Sequence, residues 1–194
     1  MHNENILLIG FMGTGKTSVS KVLKEYTGLP EIDMDKYIVK KENKSIADIF
    51  KDSGEEYFRK VETECLKKIL ENKGVIVSCG GGVVVKDENV SYMKNKGIIV
   101  LLTAKPETVY NRVKDCKDRP ILNNNMSVEF IEGLMEKRRE RYLSVADVII
   151  ETDNKSIKEI VLNVISIAAA EVMFKMEVDA IIQVAYSIYD TILQ

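Results

Sequence analysis

A run of eight residues near the start of the chain has the composition of a phosphate-binding loop. Gly10-Phe11-Met12-Gly13-Thr14-Gly15-Lys16-Thr17 matches the pattern G-x-x-x-x-G-K-[ST] in full. Glycines let backbone N–H groups approach phosphate oxygens without a β-carbon in the way. The predicted helix that follows adds the partial positive charge of its N-terminus. The residues expected to bind nucleotide phosphates are Gly13, Thr14, Gly15, Lys16, Thr17 and Ser18.

Two side chains of this loop can take a direct part in chemistry. Lys16 is predicted to reach the β- and γ-phosphates, and the Thr17 hydroxyl is predicted to be a ligand of Mg²⁺. The motif establishes nucleotide binding. It does not separate a kinase from an ATPase, a GTPase or a nucleotide-dependent regulator, so other residues must decide between them.

Two carboxylates follow the second predicted strand, in Asp33-Met34-Asp35. In an extended segment, residues two apart face the same side, so both carboxylates are expected to project towards the phosphate loop. One can hold Mg²⁺, and the other can bind or orient an acceptor hydroxyl. The same run also fits a solvated turn or a helix cap before Tyr37.

Two arginines on predicted helices are candidates for binding an anion. Arg59 has Glu62 three residues further on, so the two can pair on one face of the helix. Arg138 continues an apolar stripe that includes Phe130 and Leu134, and an inward arginine needs an anion or a carbonyl as partner. The alternative for Arg59 is an ordinary surface pair. For Arg138 the alternatives are a snorkelling side chain or, with Arg139 and Arg141, an interaction with the dipole at the helix C-terminus.

Two loops add further candidates. Gly80-Gly81-Gly82 follows the apolar run 75–77, and three glycines suit a backbone that approaches a ligand closely, although a plain loop has the same composition. Residues 115–125, DCKDRPILNNN, predict a polar loop. Arg119 in this loop could close over a transferring phosphoryl group, or it could be a solvated loop arginine.

Short apolar runs alternate with amphipathic segments along the chain. The runs are 6–9, 29–32, 75–77, 98–102 and 145–150, and helix-start signals follow Ser45, Ser53 and Ser156. This alternation predicts an α/β fold with a mainly parallel sheet. Such sheets bind ligands beyond the carboxyl ends of their strands.

Composition excludes several classes of protein. The net charge of −2 argues against broad nucleic-acid binding. Cys65, Cys79, Cys116 and the single His2 lack metal-ligand spacing, which argues against a zinc site, and the scattered thiols suit a reducing cytoplasm. No run approaches the ~20 apolar residues that span a membrane, and the first apolar run is too short for a signal peptide. We expect a cytoplasmic protein with neither a nucleic-acid nor a membrane partner.

The order of the motifs is more specific than any one of them. The series GFMGTGKT, DMD, SIADIFKDSGEEYFRKVE, SCGGGVV, DRPIL and RRERY, over about residues 4–167, resembles the shikimate kinase family. The resemblance implies a three-layer αβα fold with a five-stranded parallel sheet of order 2-3-1-4-5. It implies ATP-dependent phosphorylation of the 3-hydroxyl of shikimate in chorismate and aromatic amino-acid biosynthesis, with Mg²⁺. A kinase for another polyol acid, such as gluconate, and a nucleotide-binding regulatory module are the alternatives.

The resemblance also implies roles for individual residues. Arg138 is matched to the family because it lies four residues before Tyr142. The implied catalytic residues are Lys16, Asp35 and Arg119, and the implied metal ligands are Thr17 and Asp33. Arg112 and Arg119 join the ATP site, Arg112 by stacking on adenine. The implied shikimate-binding residues are Asp35, Arg59, Gly80, Gly81, Gly82 and Arg138.

The chain continues past the point where the family pattern ends. We expect a kinase domain over 1–168, with a lid at about 112–125, and a helical extension over 169–194. Apolar residues recur in the extension at spacings of 4, 3, 4, 3 and 4: Phe174, Val178, Ile181, Ala185, Ile188 and Ile192. This seam could pack on the core, pair with the same helix of another subunit, or dock a neighbouring enzyme. The core itself is expected to be monomeric.

Overall fold

The computed structural model describes residues 4–114, 127–171 and 173 of the chain. Five strands form one sheet, and every pairing among them is parallel. The strands are β1 (Asn5–Ile9), β2 (Glu31–Asp33), β3 (Ile76–Ser78), β4 (Gly97–Thr103) and β5 (Val148–Glu151). Their order in the sheet, β2-β3-β1-β4-β5, confirms the predicted order.

Helices cover both faces of the sheet. They are α1 (Lys16–Thr27), α2 (Met34–Glu42), α3 (Ile46–Ile69), α4 (Asp87–Lys94), α5 (Pro106–Val113), α6 (Val128–Val145) and α7 (157–171), with a short 3₁₀-helix at Val83–Val85. Leu7 and Ile9 of β1 pack into the core beneath α2, α3, α4 and α6. Ile6 and Leu8 pack into the opposite core beneath α1 and α7. The result is the predicted three-layer αβα architecture.

Two predicted strand boundaries are wrong. The run 145–150 begins in a helix, because Val145 is the last residue of α6 and β5 starts only at Val148. In the run 29–32, the strand begins at Glu31 and continues to Asp33. Apolar side chains report burial rather than backbone conformation, and Val145 is buried at the end of its helix.

Local signals determine where the helices start. Ser45 accepts a hydrogen bond from the Asp48 N–H at 3.1 Å, and Ser156 accepts from the Glu159 N–H at 3.3 Å. The predicted start at Ser53 coincides with a break in α3, because Gly54 has φ 80° and ψ 174° and separates two helical segments within the range Ile46–Ile69. A positive φ favours glycine, so Gly54 marks the kink at which the second helical segment of α3 begins.

Some predictions lie outside the described residues. These are the lid arginine, Arg119, the lid loop beyond residue 114, and the apolar seam from Phe174 onwards. None of the described helices is long and apolar enough to cross a membrane.

Candidate active site

A cleft of about 550 Å³ opens at the carboxyl ends of β1, β2 and β3. It brings together every described residue that the sequence placed in the site. They are Gly13, Thr14, Gly15, Lys16, Thr17, Ser18, Asp33, Asp35, Arg59, Gly80, Gly81, Gly82, Arg112 and Arg138. The position agrees with the rule for parallel sheets, while the roles of the individual residues stay predictions.

The phosphate-binding loop connects β1 to α1 at the centre of the cleft. Gly13 and Gly15 have φ values of 78° and 99°, a conformation that glycine adopts without steric cost. The ammonium group of Lys16 donates to the carbonyl oxygens of Gly10 and Phe11, at 2.8 and 2.9 Å. These bonds hold the lysine head over the loop, at the N-terminus of α1, where both the helix and the side chain favour an anion.

Asp33 links the phosphate loop to the second strand. Its Oδ1 accepts from the Lys36 N–H at 3.2 Å and caps α2, and its Oδ2 accepts from the Thr17 hydroxyl at 3.1 Å. The Ser78 hydroxyl lies 3.4 Å from the Thr17 hydroxyl. The cap and the contact with the phosphate loop, which the sequence offered as alternatives, therefore coexist on one side chain.

This group of oxygens fits Mg²⁺ better than it fits metals that need several protein ligands. Among the described residues, no three His, Cys, Asp or Glu side chains are placed to hold a metal. Mg²⁺ is commonly held by one or two protein oxygens, with substrate phosphates and water completing its coordination. Thr17 and Asp33, beside the phosphate loop, supply oxygens of that kind.

Asp35 reaches the cleft from a helix, and the predicted extended segment that carries both carboxylates is wrong. Asp35 does not extend β2, because β2 ends at Asp33 and Asp35 lies in the first turn of α2. The cap made by Asp33 starts the helix there, and Met34 turns into the core, where it is fully buried. The Asp35 carboxylate still lines the cleft, next to Gly80.

Arg59 is held by two carboxylates of its own helix. Its Nη1 donates to Glu62 at 2.8 Å, and its Nε and Nη2 donate to Glu55 at 3.2 and 3.1 Å. This confirms the predicted Arg59–Glu62 pair but not the surface-pair alternative, since the two side chains are 13% and 1% exposed. Burial raises the pKa of Glu62, and Arg59 offsets part of that rise. Burial opposes ionisation of Arg59, yet Glu62 and Glu55 outweigh it and raise the arginine pKa.

Arg138 lines the cleft from α6, and Tyr142, one turn further along the helix, reaches the same glycine turn. Arg138 Nη1 donates to the carbonyl oxygen of Gly81 at 3.3 Å, the kind of partner predicted for an inward arginine. The Tyr142 hydroxyl donates to the same oxygen. Tyr142 is 5% exposed, and burial raises its pKa, with Arg138 opposing that shift.

Each glycine of the run 80–82 faces a different side chain of the site. A β-carbon on Gly80 would lie 2.8 Å from Asp35 Oδ1, and one on Gly82 would overlap the Arg59 guanidinium. A β-carbon on Gly81 would lie 3.7 Å from the Tyr142 hydroxyl, an ordinary contact. Close approach of the Asp35 and Arg59 side chains therefore favours glycine at positions 80 and 82, while the predicted approach to a ligand stays a prediction.

Arg112 joins the phosphate loop to the end of β5. Its guanidinium donates to the Gly13 carbonyl at 3.2 Å, and to the hydroxyl and carbonyl of Thr152, both at 3.0 Å. Lys155 and Ile157 line the same end of the cleft. A stacking contact with adenine stays a prediction for Arg112.

The comparison with protein families agrees with this geometry. The model of the family described as Shikimate kinase matches residues 12–169. The chain belongs to the shikimate kinase family. Among curated shikimate kinases, that of Dehalococcoides mccartyi is 42% identical over 157 residues, which are 81% of this chain and 89% of the relative. That of Persephonella marina is 42% identical over 158 residues, 81% of this chain and 94% of the relative.

Solved shikimate kinases have the same fold. The Acinetobacter baumannii enzyme in complex with shikimate aligns with a TM-score of 0.82 at 30% identity, covering 87% of this chain and 94% of its own. The Aquifex aeolicus enzyme aligns with a TM-score of 0.69 at 35% identity, and the alignment covers 91% of this chain and 98% of that enzyme. These likenesses extend over nearly the whole of each solved shikimate kinase.

Sequence reasoning missed several residues of this shikimate kinase site. Ser78 is one, although its place at the end of β3, two residues before the glycine run, was a usable signal. Tyr142 served only to identify Arg138, and its own contact was not predicted. Lys155 and Ile157 flank the helix start predicted at Ser156 and could have been found from that position.

Proposed function

We propose that this chain transfers the γ-phosphate of ATP to the 3-hydroxyl of shikimate, giving shikimate 3-phosphate and ADP, in chorismate and aromatic amino-acid biosynthesis. The observation that carries the proposal is the two-ended cleft. One end is the phosphate-binding loop, and the other is a glycine turn flanked by two carboxylates, one of them paired with an arginine, and by two arginines. Because ATP is its co-substrate, we propose that the enzyme works in the cytoplasm.

At the ATP end, the phosphates bind in the loop 13–18 at the N-terminus of α1. Lys16 lies over that loop and can exchange its carbonyl contacts for phosphate oxygens. Arg112 borders the adenine end of the cleft, and its bonds to Gly13 and Thr152 hold its guanidinium in place. Arg119, which lies outside the described residues, is assigned to the transferring phosphoryl group on sequence resemblance alone.

Mg²⁺ is the metal that this site would hold. Thr17 would coordinate it directly and Asp33 directly or through water, and the 3.1 Å bond between the two side chains supports placing them around one ion. Bound there, the ion would offset charge on the phosphate oxygens. Asp33 also caps α2, so the same side chain connects the metal site to the helix that carries Asp35.

At the acceptor end, the chemistry of shikimate matches the side chains. Shikimate has one carboxylate and three hydroxyls. Arg59 and Arg138 bind the carboxylate, because a planar guanidinium can donate to both of its oxygens. Asp35 accepts a hydrogen bond from a hydroxyl of the ring, and the glycine turn lets the substrate approach the backbone. The apolar side chains of Ile46, Phe50 and Phe58 also line the cleft.

Phosphoryl transfer needs alignment and neutralisation of charge more than covalent chemistry by the protein. Asp35 directs the attacking 3-hydroxyl and is the group placed to accept its proton. Lys16 and Arg119 stabilise the negative charge on the phosphoryl oxygens. Closure of the lid over the cleft excludes water, which limits wasteful hydrolysis of ATP.

We further propose that the kinase domain spans 1–168, with its lid at about 112–125, and that residues 169–194 form a helical extension. The family match supports this boundary because it ends at residue 169. Met173, near the start of the extension, leaves 63% of its surface exposed. Pairing of the extension between subunits predicts a dimer of the full chain by light scattering, whereas intramolecular packing predicts a monomer.

The decisive experiment measures ADP release from Mg-ATP with shikimate, with gluconate and without an acceptor. We expect turnover with shikimate and only slow hydrolysis in the other two reactions, and we expect Lys16→Ala to abolish the shikimate-dependent rate. Turnover with gluconate instead would reassign the acceptor. ATP binding without stimulation by either acid would favour a regulatory nucleotide-binding module.

A further inference from the structure

The carbonyl oxygen of Gly81 receives two donors from one helix. Tyr142 and Arg138 lie one turn apart on α6, and both donate to this oxygen, across 61 and 57 residues of chain. The proposed function needs only one of these side chains at the substrate. Arg138 holds the Gly81 oxygen through Nη1 alone, at 3.3 Å. Turning the guanidinium to donate to both oxygens of the acceptor carboxylate would weaken this long bond.

Gly81 is half-buried, so its carbonyl oxygen has limited access to water. Leaving such an acceptor without a donor costs part of the free energy of a lost hydrogen bond. Were Arg138 the sole donor, the carbonyl would compete with the substrate for it. The Tyr142 hydroxyl removes that competition because it stays on the carbonyl when the arginine leaves. Its raised pKa keeps it protonated, and therefore a donor, through neutral pH.

The same bond orients the backbone that faces the substrate. In a trans peptide the C=O and the next N–H point in opposite directions, so a donor fixed on the Gly81 carbonyl also fixes the Gly82 N–H. Within the described part of the chain, the N–H groups of Gly80, Gly81 and Gly82 donate to no protein acceptor. The carbonyls of Gly80 and Gly82 accept from the N–H groups of Val83 and Val85 at 3.1 and 3.0 Å, whereas the Gly81 carbonyl accepts from side chains of α6.

We propose that Tyr142 is a positioning residue for the acceptor: it holds the Gly81 carbonyl so that Arg138 can exchange that carbonyl for the substrate carboxylate. This inference rests on the proposed role of Arg138. It assigns Tyr142 no contact with the substrate.

The test is Tyr142→Phe, which removes the hydroxyl and keeps the buried ring. We expect the KM for shikimate to rise roughly tenfold, the cost of one buried hydrogen bond, while the KM for ATP changes less than about twofold. Tyr92→Phe is the matched control, because Tyr92 is partly buried against the same core cluster, and it should leave both KM values unchanged. A Tyr142→Phe enzyme that melts at a lower temperature with an unchanged shikimate KM would overturn the inference.

A double-mutant cycle with Arg138→Ala tests whether Tyr142 acts through Arg138. It separates the exchange of the Gly81 carbonyl for the substrate carboxylate from a general loosening of the glycine turn. If Tyr142 acts by releasing Arg138, its removal should raise the shikimate KM much less in the Arg138→Ala background than in the native enzyme. Equal effects in both backgrounds would refute the exchange. An unchanged shikimate KM in Arg138→Ala alone would instead refute the proposed role of Arg138, so the two failures are distinguishable.

Discussion

Gly80 lies against the carboxylate of Asp35, and a β-carbon on residue 80 would stand 2.8 Å from Asp35 Oδ1 and 3.2 Å from Glu62 Oε1. Both carboxylates lie in the acceptor half of the cleft, so even a methyl group must displace one of them. We expect Gly80→Ala to lower kcat/KM for shikimate by roughly 100-fold, as misplacement of a reacting group does. The KM for ATP should change little.

Gly133→Ala is the matched control for this substitution. Gly133 lies inside α6, and a β-carbon there would meet no atom within 4 Å. Alanine in a helix interior is favoured over glycine by about 0.5–1 kcal/mol, so this variant should melt at a higher temperature with native kinetics. Native shikimate kinetics in Gly80→Ala would show that the Asp35 carboxylate does not need its observed position.

Arg138 and Arg139 are neighbours on α6 with different surroundings. Arg138 lines the cleft, whereas Arg139 is exposed and pairs with Glu136 at 3.7 Å. We expect Arg138→Ala to raise the KM for shikimate roughly 10- to 100-fold, the loss of a charge-assisted hydrogen bond, with little change in the KM for ATP. Arg139→Ala should leave both unchanged. If both substitutions raised the KM for shikimate equally, shikimate binding would depend on the overall charge of α6 and not on the position of Arg138.

Asp33 caps α2 and is also a proposed ligand of Mg²⁺. A substitution that keeps the cap but removes the negative charge distinguishes these two roles. Asparagine caps a helix as well as aspartate does, so Asp33→Asn should retain the melting temperature. It removes the negative charge, so the Mg²⁺ concentration for half-maximal activity should rise roughly tenfold. Calorimetry should show the same weakening in Mg²⁺-dependent binding of ADP.

Asp33→Ala completes this comparison because it loses the cap as well. It should show the same Mg²⁺ requirement and, in addition, about 1 kcal/mol less stability to urea. An Asp33→Asn enzyme with the native Mg²⁺ requirement would restrict Asp33 to its structural role.

Glu62 predicts a specific dependence of stability on pH. Burial raises its pKa above the ordinary 4.5, so the folded chain keeps the proton to a higher pH than the unfolded chain. The stability that this proton contributes is complete below pH 4.5 and is lost as the pH rises through the folded-state pKa. Glu62→Gln cannot ionise and lacks this dependence.

The measurement is urea unfolding of the native chain and of Glu62→Gln over a pH series. The free energy of unfolding of the native chain, minus that of the variant, should decrease as the pH rises above about 4.5. Subtraction removes the exposed carboxylates common to both chains. A difference that increases with pH would mean that attraction to Arg59 outweighs the burial of Glu62.

The features that the sequence predicted are local or repetitive. The phosphate loop depends on glycines at positive φ and on the helix start beside them, and the caps at Ser45 and Ser156 connect residues three apart. The strand order followed from motifs that resemble one family over about residues 4–167. The geometry of the loop and of the caps is encoded by residue types a few positions apart, whereas the long-range strand order was implied only by the family resemblance.

Only the tertiary structure decided how the acceptor half of the site is arranged. The sequence allowed Asp35 to continue a strand, Glu62 to lie on the surface and Tyr142 to remain a marker for Arg138. The structure instead puts Asp35 in a helix, buries Glu62 and joins Tyr142 to Gly81. Each of these outcomes depends on contacts between α2, α3, α6 and the glycine turn. Residues far apart in the chain become neighbours only when the sheet has formed, because packing rather than spacing then determines their partners.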